Sequence, residues 1–281
     1  MRLANLRGRA TIVVQGRAVD VERASGGALG SDPMVLSDLA NHDLLRHLAA
    51  SAAPEEWPLL DEAGLAAPVP RPPKGYGVGL NYRMHAIESG REFPTEPHLF
   101  AKTENCVCGP FDEIVVPKGL EMIDYETELV IVFGRTCKGA TRENAWSHLA
   151  GVTCGQDISD RGEQFRPPLK QFTIAKSYDT FGPIGPYLVT PDELADPDAL
   201  ALRGTVSGEV MQEAVTSDLI FDVPALVVWL SRYITFQTGD LVWTGTPGGV
   251  GEARGRFLRD GDVVETWIDG IGTMRNPVVE R

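Results

Sequence analysis

DYETELVIVFG, residues 124–134, is the stretch on which the reading of the chain turns. Its second half, Leu129 to Phe133, is a short apolar run of the kind that forms a buried strand. Asp124, Glu126 and Glu128 enter that run at every second position. Side chains alternate along a strand, so this spacing puts three carboxylates on one face, neighbours about 6.6 Å apart. Like charges that close repel. A solvated strand face tolerates them, and on spacing alone that is the plainer reading. The apolar run beside them argues instead for burial, and buried carboxylates need a counter-charge.

Other stretches offer partners. GQDISDRGEQ, residues 155–164, carries Asp157. Glu126, Glu128 and Asp157 around one point, with waters, suit Mg²⁺ or Mn²⁺, hard cations that prefer oxygen ligands. GLNYRMHAIESG, residues 79–90, holds His85 and Glu88. On a helix that spacing shares a face, and Glu88 can then orient His85 as a general base toward water. A loop histidine near a surface glutamate is the alternative. KSYDTFGPIGP, residues 176–186, offers Lys176 as a fixed cation, or as an ordinary surface lysine. GDLVWTGTPGGVG, residues 239–251, offers backbone N–H groups and the Thr246 hydroxyl to an anion, or is a plain tight turn. It lacks the GK[ST] ending of a phosphate-binding loop.

Composition narrows the class. The chain has 281 residues, 43% of them hydrophobic, enough for a packed core in one large and one small domain. Thirty glycines and 20 prolines point to many turns and a β-rich fold. Against 39 acidic residues stand 26 basic ones, a net charge of −13 that repels nucleic acid. No apolar run is long enough to span a bilayer and no stretch reads as a signal peptide, so the expected compartment is the cytoplasm, with no membrane partner. Cys106, Cys108, Cys137 and Cys154 have no zinc spacing and read as reduced thiols.

Along the chain, ATIVVQ and RAVDVER read as strands around the turn Gln15-Gly16, and residues 35–50 carry leucines at a helical period. This predicts a small N-terminal α+β domain over residues 1–68. LAAPVPRPPKGYG, residues 65–77, reads as a stiff extended linker into a second domain, residues 69–281. There the pattern is of short strands with Gly/Pro/Asp turns, plus helices near residues 142–151 and 222–233.

Five of these motifs stand in an order that resembles the fumarylacetoacetate hydrolase family: GLNYRMHAIESG, DYETEL, GQDISDRGEQ, KSYDTFGPIGP and TGTPGGVG, between about Arg71 and Pro277. The resemblance implies a mixed α/β, predominantly β fold, a β-clip-like sandwich roll behind the small α+β domain, built as a homodimer. It implies Glu126, Glu128 and Asp157 as ligands of one Mg²⁺ or Mn²⁺ per subunit. It implies His85, Glu88 and Lys176 as the catalytic group, and Arg161, Gln164 and Thr246 as substrate-binding residues. Asp124 matches no ligand and is expected at a wet strand entrance.

The implied activity is hydrolysis of a C–C bond in a β-diketo acid such as an acylpyruvate, within aromatic catabolism. His85 activates water, the metal stabilises the enolate, and residues 85–95 form a lid. Decarboxylation of an oxaloacetate-like acid, or hydration or isomerisation of a dienoate, is the alternative on the same site. A non-catalytic keto-acid binder is a further one. The chain departs from the family pattern at Asp160, Gly162 and Ser207, which leaves the substrate class more open than the metal.

Overall fold

The computed structural model describes residues 1–281. Its strands are β1 (Arg2–Leu6), β2 (Arg9–Val14), β3 (Arg17–Asp20), β4 (Leu65–Ala66), β5 (Gly75–Gly79), β6 (His98–Lys102), β7 (Val107–Cys108), β8 (Ile114–Val116) and β9 (Ile123–Asp124). There follow β10 (Thr127–Phe133), β11 (Leu149–Gln156), β12 (Ser159–Asp160), β13 (Gly182–Val189), β14 (Ala201–Val206), β15 (Glu209–Val215), β16 (Leu241–Trp243), β17 (Val263–Ile268) and β18 (Gly272–Glu280). The helices are α1 (Val21–Ala24), α2 (His42–Ser51), α3 (Arg83–Glu88), α4 (Arg161–Gln164), α5 (Phe172–Ala175), α6 (Val223–Tyr233) and α7 (Gly251–Arg254). The fold is mixed α/β and predominantly strand, as expected.

An eleven-stranded sheet runs β3-β2-β1-β13-β11-β10-β16-β5-β6, with β4 and β7 attached to it. A second sheet runs β15-β14-β17-β18-β8. Strand β10 sits inside the first sheet and is buried at every position. Leu129, Ile131 and Phe133 face a core shared with α6 and with Leu202, Ile268 and Met274 of the second sheet. Val130 and Val132 face a core shared with Leu3, Ile12, Leu36 and Leu45 of the N-terminal segment. Both faces are covered, so the apolar run is continuous rather than alternating. The N-terminal strands join the same sheet, because β1 pairs with β13.

Two helix expectations need correction. Residues 142–151 form a 3₁₀ turn over Ala145–His148 and then enter β11. Pairing with β10 and β13 makes this segment a strand, and a bulge beside Val132 and Phe133 turns Leu149 to the core that holds Val152 and Cys154 while Ala150 faces the other core. Residues 35–50 are not one helix. Asp32 and Asp38 each cap a 3₁₀ turn through their side chains, and α2 begins only at His42. The helix expected at 222–233 is α6, capped by Asp222 on the Ala225 N–H with Pro224 in its first turn.

Candidate metal centre and active site

Three carboxylates converge because of one strand register. Thr127 pairs with Gln156 and Glu128 with Gly155. Continued one step, that register sets Glu126 opposite Asp157, and the Asp157 N–H donates to the Glu126 carbonyl at 3.0 Å. Glu128 lies two residues on, on the same face as Glu126. The oxygens of Glu126, Glu128 and Asp157 all lie within 4.8 Å of one another, and all three residues are buried.

Counter-charges surround them. Lys176 Nζ donates to Glu126 Oε2 at 2.7 Å, Asp157 Oδ2 at 2.8 Å and Ser159 Oγ at 2.7 Å. It is therefore no surface lysine. Arg161 donates to Glu126 Oε1 at 2.5 Å, Asp124 Oδ2 at 2.8 Å and Gln164 Oε1 at 2.8 Å. Burial alone would push Glu126 up, but Lys176 and Arg161 hold its carboxyl down at about 2. Burial likewise opposes the Arg161 charge, and Glu126 and Asp124 override it, raising its pKa above the ordinary value.

Glu128 differs. Its one protein donor is the Gly245 N–H at 2.7 Å, and no cation pairs with it. Burial, then Asp157 and Glu126, push its pKa well above the ordinary carboxylate range. A site with one buried carboxylate lacking a cationic partner, beside two others, fits a divalent cation. Such an ion supplies the missing positive charge and accepts oxygen ligands from all three.

Asp124 is not at a wet entrance. It is fully buried and accepts from Arg161, from the Gly251 N–H at 2.6 Å and from the Glu252 N–H at 3.0 Å. The physical reason is a break in the strand: β9 ends at Asp124, β10 starts at Thr127, and Asp124 turns toward α7 rather than sharing a continuous face. The glycine-rich segment does bind anions, and they are the protein's own carboxylates. Gly245 serves Glu128, Gly249 serves Glu88 at 2.7 Å, and Gly251 serves Asp124. Gly249 has φ +103°, and a Cβ there would lie 2.1 Å from the Met211 carbonyl oxygen, so only glycine fits this turn.

Opposite the carboxylates stands α3. His85 Nδ1 lies 2.8 Å from Glu88 Oε1, and both residues line a cavity of about 550 Å³ together with Glu126, Glu128, Arg161, Gln164 and Lys176. With Nδ1–H donating to Glu88, the other ring nitrogen, Nε2, keeps its lone pair. Thr246 also lines this cavity, but its hydroxyl donates to the Thr127 carbonyl and accepts from Gln212 Nε2 at 2.8 Å. Asp157 lies beneath the surface, held by Lys176 on one oxygen and by Lys102 on the other at 2.6 Å.

Lys102 was not among the sequence candidates. It is buried, and burial opposes its charge, but Asp157 raises its pKa above the ordinary value. It ends β6, whose buried positions are Phe100 and Lys102. A lysine at the apolar phase of an alternating strand was the available signal. Asn81 was missed as well. Its amide donates to the Thr244 carbonyl at 2.7 Å and to the Phe221 carbonyl at 3.0 Å, tying the start of α3 to the glycine-rich segment.

A family model for the fumarylacetoacetate hydrolase C-terminal domain matches residues 74–279. The chain belongs to the fumarylacetoacetate hydrolase family. Among its relatives is human mitochondrial oxaloacetate tautomerase FAHD2A, 40% identical over 83% of this chain and 75% of that protein. The 2,4-didehydro-3-deoxy-L-rhamnonate hydrolase of Sphingomonas sp. (strain SKA58) is 44% identical over 74% of this chain and 75% of its own. The crystal structure of maleylpyruvate hydrolase from Sphingobium sp. SYK-6, with manganese(II) and pyruvate, superposes with TM-score 0.82. It is 32% identical and covers 100% of this chain and 99% of that one. The chain is thus a fumarylacetoacetate hydrolase family enzyme with a carboxylate site suited to a divalent metal. None of its helices is long and apolar enough to cross a membrane.

Proposed function

We propose that the protein is a divalent-metal-dependent hydrolase that cleaves a C–C bond of a β-diketo acid such as an acylpyruvate. The observation that carries this reading is the His85–Glu88 pair, 2.8 Å apart, in one cavity with Glu126 and Glu128 of the buried carboxylate cluster that Asp157 completes from beneath. A water-activating base is dispensable for simple decarboxylation, whereas hydrolysis needs one.

Glu126, Glu128 and Asp157 would hold Mg²⁺ or Mn²⁺, which when bound supplies positive charge to the oxygens of a 2-oxo acid. Glu88, itself fixed by the Gly249 N–H, orients His85. His85 Nε2 takes a proton from water, and the resulting hydroxide attacks the distal carbonyl carbon. The C–C bond then breaks, its electron pair leaving with the 2-oxo acid fragment as an enolate, which is protonated on release. Lys176 adds a fixed positive charge beside that fragment. The Gln164 amide oxygen is occupied by Arg161, which turns its NH₂ outward as a donor for the developing oxyanion. Three of the five Arg161 N–H groups are used within the protein, leaving two for a substrate carboxylate. We assign Thr246 to the substrate-side wall, where its hydroxyl holds the turn against Thr127 and Gln212.

A second reading has support from the relatives named oxaloacetate tautomerases: proton transfer at C3 of an oxaloacetate-like acid, with His85 as the base. Decarboxylase and dienoate hydratase/isomerase activities would use the same residues. We also infer a homodimer, and a division at residues 68/69 into an N-terminal unit and a catalytic one.

The test follows enol absorbance of acetylpyruvate and of oxaloacetate with Mg²⁺ or Mn²⁺ added after chelation. Cleavage of acetylpyruvate to acetate and pyruvate, abolished in His85→Ala, supports the hydrolase. Enol–keto exchange of oxaloacetate without acetylpyruvate cleavage selects the second reading. Normal Mn²⁺ binding by Glu126→Ala would overturn the metal assignment.

A further inference from the structure

Strand β15 carries a bulge where the second sheet meets the site. Gly204 of β14 pairs with Gln212 and Thr205 pairs with Val210, so Met211 is an extra residue on β15. Two consecutive side chains, Met211 and Gln212, are therefore buried where an alternating strand would bury one. Met211 joins the apolar cluster that holds Ile123 and Tyr125. Gln212 is polar, and every polar atom of its amide finds a partner.

Gln212 Oε1 accepts from the Thr127 N–H at 2.9 Å. Its Nε2 donates to Thr246 Oγ1 at 2.8 Å and to the Pro247 carbonyl at 2.9 Å. The Thr246 hydroxyl donates in turn to the Thr127 carbonyl at 3.1 Å. These bonds close a ring through Thr127, Gln212 and Thr246, all three buried. Exchanging the amide oxygen and nitrogen would set donor against donor at Thr127 and acceptor against acceptor at Pro247, so the orientation of the amide is fixed. Glycines let the second sheet come this close. A Cβ on Gly204 would collide with the Thr127 hydroxyl, and one on Gly249 with the Met211 carbonyl.

The ring stands between the two halves of the site. Thr127 separates Glu126 from Glu128 along the chain. Thr246 and Pro247 lie between Gly245, whose N–H holds Glu128, and Gly249, whose N–H holds Glu88. Thr246 lines the cavity, and Gln212 lies behind it. We propose that Gln212 is a positioning residue for both halves: by closing the ring it fixes the turn at residues 245–249 on the carboxylate-bearing strand, and so sets how far Glu128 stands from the Glu88–His85 pair. This rests on the reading that Glu128 binds the metal and His85 is the base.

The test opens the ring from two sides. Gln212→Met keeps the length of the side chain and removes its hydrogen bonds, and Thr246→Val removes the hydroxyl. Mn²⁺ titration should show affinity about tenfold weaker in each, the size of loss expected when a group that orients a metal ligand is removed. The double variant should bind no more weakly than either single one, because a ring broken once is already open. Nitrogen NMR of the imidazoles in metal-free protein reads the other half, with the His85 signals identified by their loss in His85→Gln. Wild type should show His85 as the Nδ1–H tautomer held by Glu88, and either variant should admit the Nε2–H tautomer that a free imidazole favours. A Gln212→Met protein that melts at lower temperature yet keeps wild-type Mn²⁺ affinity and the single tautomer overturns the proposal. Additive losses of affinity in the double variant overturn it too. A wild type that binds no Mn²⁺ overturns the metal reading instead, and the tautomer then decides the role of Gln212 by itself.

Discussion

Arg161 grips Asp124 and Glu126 at once, with Nε 2.8 Å from an Asp124 oxygen and Nη2 2.5 Å from a Glu126 oxygen. Asp124 is itself anchored by two backbone N–H groups of α7. The arginine is therefore a strut between a carboxylate that faces the cavity and one that does not. Asp124→Asn keeps the volume and removes the charge. Breaking one partner of a buried pair costs about 3–5 kcal/mol, with the lower end expected here because Glu126 remains. Urea unfolding should show that loss, and Mn²⁺ titration should show weaker binding because Glu126 loses its fixed orientation. Unchanged stability and Mn²⁺ affinity would refute the strut.

Glu128 gives the opposite sign in metal-free protein. It is the carboxylate without a cationic partner, crowded by Asp157 and Glu126. Glu128→Gln should leave the chelated protein as stable as the wild type or more so. The stabilisation that Mn²⁺ confers on the wild type should largely vanish in the variant. Thermal melts with and without Mn²⁺ make the comparison, and equal metal-induced shifts in the two proteins would count against Glu128 as a ligand.

Lys102 holds the far oxygen of Asp157 and also donates to the carbonyl of Lys176 at 2.5 Å. Lys102→Gln removes a buried charge that its partner needs. A cost of about 3–5 kcal/mol is expected in metal-free protein. A divalent cation replaces part of the lost charge, so Mn²⁺ should raise Tm by more in Lys102→Gln than in wild type. A smaller rise would show that Lys102 is needed to shape the metal site rather than only to neutralise it.

His42 makes a pH prediction away from the site. It is buried, Nε2 lies 2.9 Å from the Leu36 carbonyl, and Nδ1 has no partner. Burial, then Arg46, lowers its pKa below the ordinary 6.5. The unfolded chain thus binds a proton near pH 6.5 that the folded chain refuses until lower pH. The more protonated state is the unfolded one, so stability falls as pH drops through 6.5 toward the folded value. His42→Gln should flatten the Tm profile between pH 7 and 5 relative to wild type. Parallel profiles would place the titration elsewhere.

Much of the site was legible in the residues. His85 and Glu88 were readable as a pair because helical spacing brings i and i+3 together whatever else the chain does. Glu126 and Glu128 were readable as neighbours because a strand alternates. The other functional groups depend on contacts between residues far apart in the chain. Lys102 meets Asp157 across 55 residues, and Asp124 meets Gly251 across 127. No local period records such a meeting.

What the sequence determined by itself was the apolar run of β10, the local pairs and the order of five motifs, and hence the family and its carboxylates. The strand and the local pairs follow from short-range periodicity and residue chemistry, whereas the family and its carboxylates come from the resemblance that the motif order carries. Tertiary structure alone decided which carboxylates carry a counter-ion. Asp124 and Glu126 share Arg161, Asp157 lies between two lysines, and Glu128 is left to a single backbone N–H. The register of β10 on β11 brings those charges together, and in a buried, low-dielectric setting their separation of a few ångströms sets which oxygens remain for a metal.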